Sequence, residues 1–163
     1  MTEAASLPSL RWYAGVRNPF DWIASQYVKH LGWARQPETR PKWTRGNPGI
    51  ELLCQPSTSF DQWVEVQYGS APLKKSQLTW VRGCHDIYRF EKLPEDFHRL
   101  LIQAGVPPAR LPELPVWNTT PHKRHYSTYY TADSRKLVEL CCAEDLQAFG
   151  YTFETCDSGA RSS

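Results

Sequence analysis

Arg11-Trp12-Tyr13-Ala14-Gly15-Val16-Arg17-Asn18-Pro19-Phe20-Asp21-Trp22-Ile23-Ala24-Ser25-Gln26-Tyr27 is the stretch that decides the fold, because a strand signal turns into a helix signal inside it. Residues 11–16 form a short, nearly continuous apolar run, the pattern of a strand covered on both faces in a parallel sheet. The run stops at Arg17-Asn18-Pro19. Asn18 suits an N-cap and Pro19 the first helical position, while Asp21, three residues after Asn18, can complete the capping interaction at the positive end of the helix dipole. The helix then carries Phe20, Ile23, Ala24, Tyr27, Val28 and Leu31 at i, i+3, i+4, i+7 spacing, with Gly32 placed to end it.

Outward from this junction the signals alternate. Trp33 to Ser59 contains Pro37, Pro41, Pro48 and Pro56 without sustained periodicity and reads as a long irregular excursion, a kind of segment that is usually functional or disordered. Ser59 with Gln62 forms a capping-box pattern, and Phe60, Trp63 and Val64 supply one face of a short helix ending near Gly69. Thr79-Trp80-Val81-Arg82 reads as a possible short strand and residues 86–91 as another. Pro94 opens a helix lined by Phe97, Leu100, Leu101 and Ala104 up to Gly105. In the last helix Thr131 is the cap, Asp133 sits in the first turn, Leu137, Leu140 and Cys141 face inward, and Gly150 is the stop. The alternation predicts an α/β fold, a parallel sheet flanked by helices, as a single domain over residues 1–155 with a flexible tail over 156–163.

Composition narrows the functional classes. The chain has 163 residues, 40% hydrophobic and 13% aromatic, which suits one globular domain and excludes low-complexity disorder. A chain of this size buries roughly 70% of its unfolded surface on folding. Nineteen Lys and Arg against 17 Asp and Glu leave a formal charge of +2, too balanced for non-specific binding to nucleic acid or acidic lipid, so any anion site must be local. No apolar run approaches the ~20 residues of a membrane span, and residues 1–10 carry no leader pattern, which gives the expectation of a cytoplasmic protein. The five cysteines, Cys54, Cys84, Cys141, Cys142 and Cys156, show no C-x-x-C spacing, so reduced thiols are expected and neither a metal site nor a disulfide framework. Cys141 and Cys142 are read as small hydrophobes of the last helix.

The candidate chemistry lies at the strand-to-helix junction. A guanidinium at a strand's carboxyl end, beside a helix start with unpaired backbone N–H groups, makes a phosphate site. Ser25, seven residues after Asn18, falls on roughly the same side of the helix as the cap, so Arg17 and Ser25 can hold one phosphate together. The bland alternative is a surface ion pair and a solvated serine. Lys123 and Arg124 lie in a basic loop that either neutralises donor phosphates or an acidic acceptor, or is simply solvated. His122 and His125 share that loop, where a histidine could act as general base. Asn118-Thr119-Thr120 is a glycosylation sequon, expected to stay unmodified in a chain without a leader.

Three segments, in order, resemble sulfotransferases that use 3′-phosphoadenosine 5′-phosphosulfate (PAPS), in particular the carbohydrate-type, family 2 group. Arg17-Asn18-Pro19 with Ser25 eight residues beyond the Arg is similar to the family's 3′-phosphate-binding element. Tyr88-Arg89-Phe90-Glu91-Lys92-Leu93 resembles its arginine-aromatic-glutamate-x-leucine strand end, where Glu91 looks structural. Residues 118–130, with the paired Tyr129-Tyr130 and the helix that follows, resemble the C-terminal signature. The resemblance spans Arg11 to Phe153 and implies a P-loop-type fold. It also implies PAPS as co-substrate without a metal, Arg17, Ser25, Lys123 and Arg124 as donor-binding residues, and sulfuryl transfer to a hydroxyl or amine of a carbohydrate or related small-molecule acceptor. It assigns no catalytic base.

The chain departs from the family in one respect: no Gly-x-x-x-x-Gly-Lys-Ser/Thr run and no Lys-x-Gly-Gly-Thr-Ser form occurs in it. The expectation is therefore an N-terminally incomplete domain without the 5′-phosphosulfate loop. Such a domain exposes sheet edges and is prone to associate as an oligomer. Two further readings follow: an inactive sulfotransferase remnant that serves as a nucleotide-binding or interaction module, and an unrelated kinase-like nucleotide-binding domain, which the missing Walker lysine disfavours.

Overall fold

The computed structural model describes residues 11–69, 76–115 and 124–156. Lys123, His122, the sequon at Asn118 and all of the expected tail except Cys156 lie outside the described residues. In chain order the principal elements are β1 (Tyr13–Val16), α1 (Pro19–Arg35), α2 (Pro48–Leu53), α3 (Phe60–Tyr68), α4 (Gln77–Val81), β2 (Asp86–Arg89), α5 (Leu93–Gln103), α6 (Ala132–Cys141) and α7 (Ala143–Phe149). The fold is mixed α/β, mostly helical, with a small two-stranded parallel sheet among the described residues. Two compact units divide the chain: one takes Met1–Val16 with Gln77–Leu114, the other Arg17–Ser76 with Pro115–Ser163.

In the first unit β1 and β2 run parallel, with Tyr13 opposite Asp86 and Gly15 opposite Tyr88. The His85 N–H donates to the Trp12 carbonyl over 2.7 Å and extends the pairing by one step. Gly15 leaves room for the Tyr88 ring, which a Cβ at that position would approach to 2.5 Å and displace. Helix α5 docks through Arg99, which pairs with the Asp86 carboxylate and donates to the Ile87 carbonyl at 2.8 Å.

Two expectations fail in this unit. The run 11–16 is not covered on both faces, since Trp12 is 63% exposed, Tyr13, Ala14 and Gly15 are half-buried, and only Val16 is fully enclosed. Apolar content makes a strand possible, but coverage depends on how many layers flank it. Residues 79–81 belong to helix α4, and Gly83 at φ 84° turns the chain beyond it. Thr, Trp and Val favour strands mainly where they pack against a neighbouring strand, so their preference depends on tertiary context.

The second unit is built on α1. Its core joins Phe20, Ile23 and Ala24 of α1 to Leu53 of α2, Phe60, Trp63, Val64 and Tyr68 of α3, and Tyr126, Val138 and Cys142. The helix does not stop at Gly32 but runs on to Arg35. A glycine inside a helix costs only about 1 kcal/mol, and Leu31 and Ala34 on either side pack against the core. Nor is the stretch after Trp33 irregular throughout, because it contains α2. Asn47 accepts the Ile50 N–H at 3.0 Å and Pro48 follows it, the same Asn-Pro start as at Asn18-Pro19. Between them Arg40 ties the turns together by donating to the Thr44 carbonyl at 2.7 Å and pairing with Glu51 at 2.8 Å.

The capping box of α3 is present: the Ser59 N–H donates to Gln62 Oε1 at 2.8 Å and the Gln62 N–H to Ser59 Oγ at 3.2 Å. The single helix expected between Thr131 and Gly150 is two helices, α6 and α7, separated at Cys142 with φ −108° and ψ 15°. Leu140 does not face inward but is 69% exposed. The buried stripe is Ser134, Val138 and Cys142, at i+4 steps, and a residue two places from Val138 lies on the opposite side. Gly150 closes α7 in the left-handed region at φ 66°.

Two outcomes follow. Burial pushes the Cys142 thiol up to about 12, with Asp145 and Cys141 adding to the rise, whereas Cys54 and Cys156 are exposed. Iodoacetamide at neutral pH should therefore alkylate Cys54 and Cys156 in the native protein and reach Cys142 only after denaturation, as read by peptide mass spectrometry. In the first unit the Arg99 hydrogen bond, with the Ile87 N–H, holds the Asp86 carboxyl below its ordinary value of 3.8. A depressed carboxyl contributes its stability above the unfolded pKa and loses it as pH falls through the folded one. Asp86→Asn should thus lower the urea midpoint at neutral pH and converge on the parent below pH 3.8.

Candidate functional site

Arg17, Asp21 and Ser25 stand at i, i+4 and i+8, so two helical turns bring them into one row. Arg17 Nε donates to Asp21 Oδ2 at 2.7 Å, and Nη2 is shared between that oxygen and Ser25 Oγ, the latter at 2.8 Å. The Arg17 and Asp21 side chains are about one-fifth exposed, at 20% and 19%, and Ser25 is buried. The structure thus brings the two sequence-selected residues Arg17 and Ser25 into direct contact. It adds Asp21, an acid of the first helical turn, which pairs with Arg17.

The row is held in place by the start of α1. Asn18 accepts the Phe20 N–H at 3.1 Å and donates through Nδ2 to the Thr152 carbonyl at 3.1 Å. The Phe20 ring stacks on Tyr126 with centroids 6.3 Å apart and meets Tyr130 and Phe153 edge-on at 5.5 and 5.0 Å. Tyr130 Oη donates to the Phe20 carbonyl at 3.0 Å, and burial raises the Tyr130 phenol far above its ordinary value, keeping it a neutral donor. Tyr129 and Tyr130 are therefore packing residues, set against Tyr27, Phe20 and Phe60.

At the helix start Pro19 has no N–H, the Phe20 N–H goes to the Asn18 side chain at 3.1 Å, and the Trp22 N–H goes to the Asn18 carbonyl at 2.9 Å. The Asp21 carboxylate lies on the same guanidinium edge, so an incoming phosphate must displace it or share the arginine with it.

Arg124 is exposed, and its backbone N–H donates to Tyr129 Oη at 3.4 Å. Its side chain makes no ion pair among the described residues, and nothing in the structure brings it to Arg17 or Ser25. His125 Nδ1 is 2.8 Å from Ser127 Oγ and caps the 3-10 turn Tyr126–Thr128, which gives the histidine a structural task. Glu91 lies in the first unit, in the turn Phe90–Lys92 after β2. No group of three or more His, Cys, Asp or Glu placed to hold a metal occurs among the described residues.

The sequence reading missed a cavity of about 450 Å³ lined by Ser127, Thr128, Tyr130, Thr131, Arg135 and Phe153, among others. It shares Tyr130 and Phe153 with the aromatic cluster around Phe20, and Arg135 stacks over the Phe153 ring at 4.6 Å. The run Ser127-Thr128 followed by Thr131 was the visible signal: hydroxyls gathered beside an aromatic pair. Only folding joined Phe153 and Arg135 to them.

Asp21→Asn removes the charge that competes for the guanidinium. At an effective interaction of about 1 kcal/mol for a partly exposed pair, inorganic phosphate should bind about fivefold more tightly than to the parent. The Arg17 Nε–H resonance followed through a phosphate titration reads this directly. Unchanged affinity would show that no anion reaches Arg17.

Comparison with protein-family models, with curated proteins and with solved structures finds no match for this chain.

Proposed function

We propose that this chain is a PAPS-dependent sulfotransferase domain that binds the donor's 3′-phosphate through Arg17 and Ser25. The observation that carries the reading is the 2.8 Å contact between Arg17 Nη2 and Ser25 Oγ at the start of a capped helix that follows a parallel strand. The neighbouring guanidinium and hydroxyl both carry hydrogens that can turn to a phosphate monoester as charge-assisted donors. The finer architecture proposed is a P-loop-type sheet flanked by helices, of which the parallel β1–β2 pair and the β1-to-α1 passage would be parts. Lys123 and Arg124 are proposed as further donor-phosphate contacts, and the cytoplasm as the compartment, in keeping with five unpaired cysteines.

In the proposed reaction a hydroxyl or amine of a carbohydrate or related acceptor attacks the sulfur in line. The bond from sulfur to the 5′-phosphate oxygen breaks, 3′-phosphoadenosine 5′-phosphate leaves, and the acceptor's proton passes to a general base. Arg17 and Ser25 act by fixing the nucleotide, so that the remote phosphate's binding energy orients the reacting end.

A second reading is a non-catalytic nucleotide-binding or interaction module. It is favoured by the closed Arg17–Asp21–Ser25 set, in which the cation already has an anionic partner.

Calorimetric titration with 3′-phosphoadenosine 5′-phosphate, with adenosine 5′-phosphate as control, tests the donor site. Binding should require the 3′-phosphate, disappear in Arg17→Ala and weaken about tenfold in Ser25→Ala, the loss of one hydrogen bond to a charged group. Equal affinity for the two nucleotides, or binding indifferent to Arg17→Ala, would reject the reading. Binding without transfer of labelled sulfate from PAPS to a carbohydrate panel would select the non-catalytic module.

A further inference from the structure

Trp43 is 80% exposed, more than any other large hydrophobic side chain among the described residues. It stands in the 3-10 turn Lys42–Thr44 and meets the Trp33 ring edge-on at 6.0 Å. Lys29 Nζ lies 5.0 Å from the Trp33 centroid. The turn beneath is firm: Thr44 is buried, its hydroxyl donates to the Pro41 carbonyl at 2.7 Å, and Arg40 donates to the Thr44 carbonyl. The indole is therefore presented on a fixed base.

The charge around it is lopsided. Residues 29–45 contain Lys29, Arg35, Arg40, Lys42 and Arg45 against the single acid Glu38, in a chain whose formal charge is only +2. Arg40 is turned to Glu51 and Thr44, while Lys29, Arg35, Lys42 and Arg45 are exposed. Exposed indole flanked by long cationic side chains is the chemistry of a bilayer interface, where the ring sits at headgroup depth and the ammonium and guanidinium groups reach lipid phosphates.

We propose that the Trp33–Trp43 turn is a docking surface for an anionic phospholipid bilayer. The alternative occupant with matching charge, an acidic polysaccharide, calls for a concave site in which a sugar ring lies on an aromatic face with polar partners around it. Trp43 instead projects outward, with 80% of its surface exposed. Docking is peripheral and needs no spanning segment; no helix among the described residues is long and apolar enough to cross a membrane.

The test is co-sedimentation of the full chain with phosphatidylcholine vesicles, with and without phosphatidylserine, across a salt series. Binding should require phosphatidylserine and fall with salt. Lys42→Gln with Arg45→Gln should weaken it about thirtyfold, taking about 1 kcal/mol for each cation at an anionic surface. Trp43→Ala should weaken it as well, and brominated lipid should quench the fluorescence of the parent more than that of Trp43→Ala. Lys136→Gln, an exposed cation of α6 outside the patch, should leave binding unchanged. Because these side chains are exposed, each variant should keep the parent's thermal midpoint, which is measured alongside.

Absence of vesicle binding, equal binding to neutral vesicles, or binding indifferent to Trp43→Ala overturns the proposal. Trp43-dependent binding of dextran sulfate without vesicle binding overturns it in favour of a polysaccharide. No nucleotide enters the experiment, so its result is separate from that of the donor site.

Discussion

Enclosure of the Phe20 ring by Tyr126, Tyr130 and Phe153 is the constraint on which the second unit depends. Three aromatic partners around one side chain remove far more apolar surface from water than any single aliphatic contact, and their edge and stacked geometries fix orientation as well as distance. Because Phe20 is the second residue of α1, this cluster anchors the helix by its first turn. Tyr130 adds a hydrogen bond to the Phe20 carbonyl and Asn18 adds one to the Thr152 carbonyl, so residues far apart in the chain converge on the same turn. The row Arg17, Asp21, Ser25 inherits its position from that anchoring.

Electrostatics in this molecule is local rather than global. At the candidate site one guanidinium is met by one carboxylate and one hydroxyl, which leaves little net field until a ligand competes for the arginine. The stretch 29–45, which includes Trp43, has the opposite character, with four exposed cations and one acid. A near-zero total charge conceals both arrangements. The Arg17 contacts act within a few ångströms, a range over which solvent screening is incomplete.

The capping chemistry explains why so much of the helical structure is stable in pieces. Asn18 and Asn47, each followed by proline, satisfy a first-turn N–H with their own side chains, and Ser59 with Gln62 and Thr131 with Ser134 form reciprocal pairs. These interactions span no more than three residues and need no tertiary partner. The polar ends of the helices are closed locally, and the apolar faces are left to specify packing.

What the sequence by itself determined is this short-range layer: the cap at Asn18, the box at Ser59, the stop at Gly150, the first strand, and the eight-residue spacing that puts Arg17 beside Ser25. Even α2 was legible from Asn47-Pro48, a signal hidden by the prolines around it. Tertiary structure alone decided that helix α1 continues through Gly32, that Leu140 points to water, that residues 79–81 coil instead of pairing, and that β1 is only partly covered. It also decided that Asp21 turns to Arg17 and that Phe153 joins Phe20. The physical reason is range. A cap is settled by atoms two or three residues away, whereas burial of a face, pairing of a strand and the partner of a guanidinium depend on groups brought close only when the whole chain has folded.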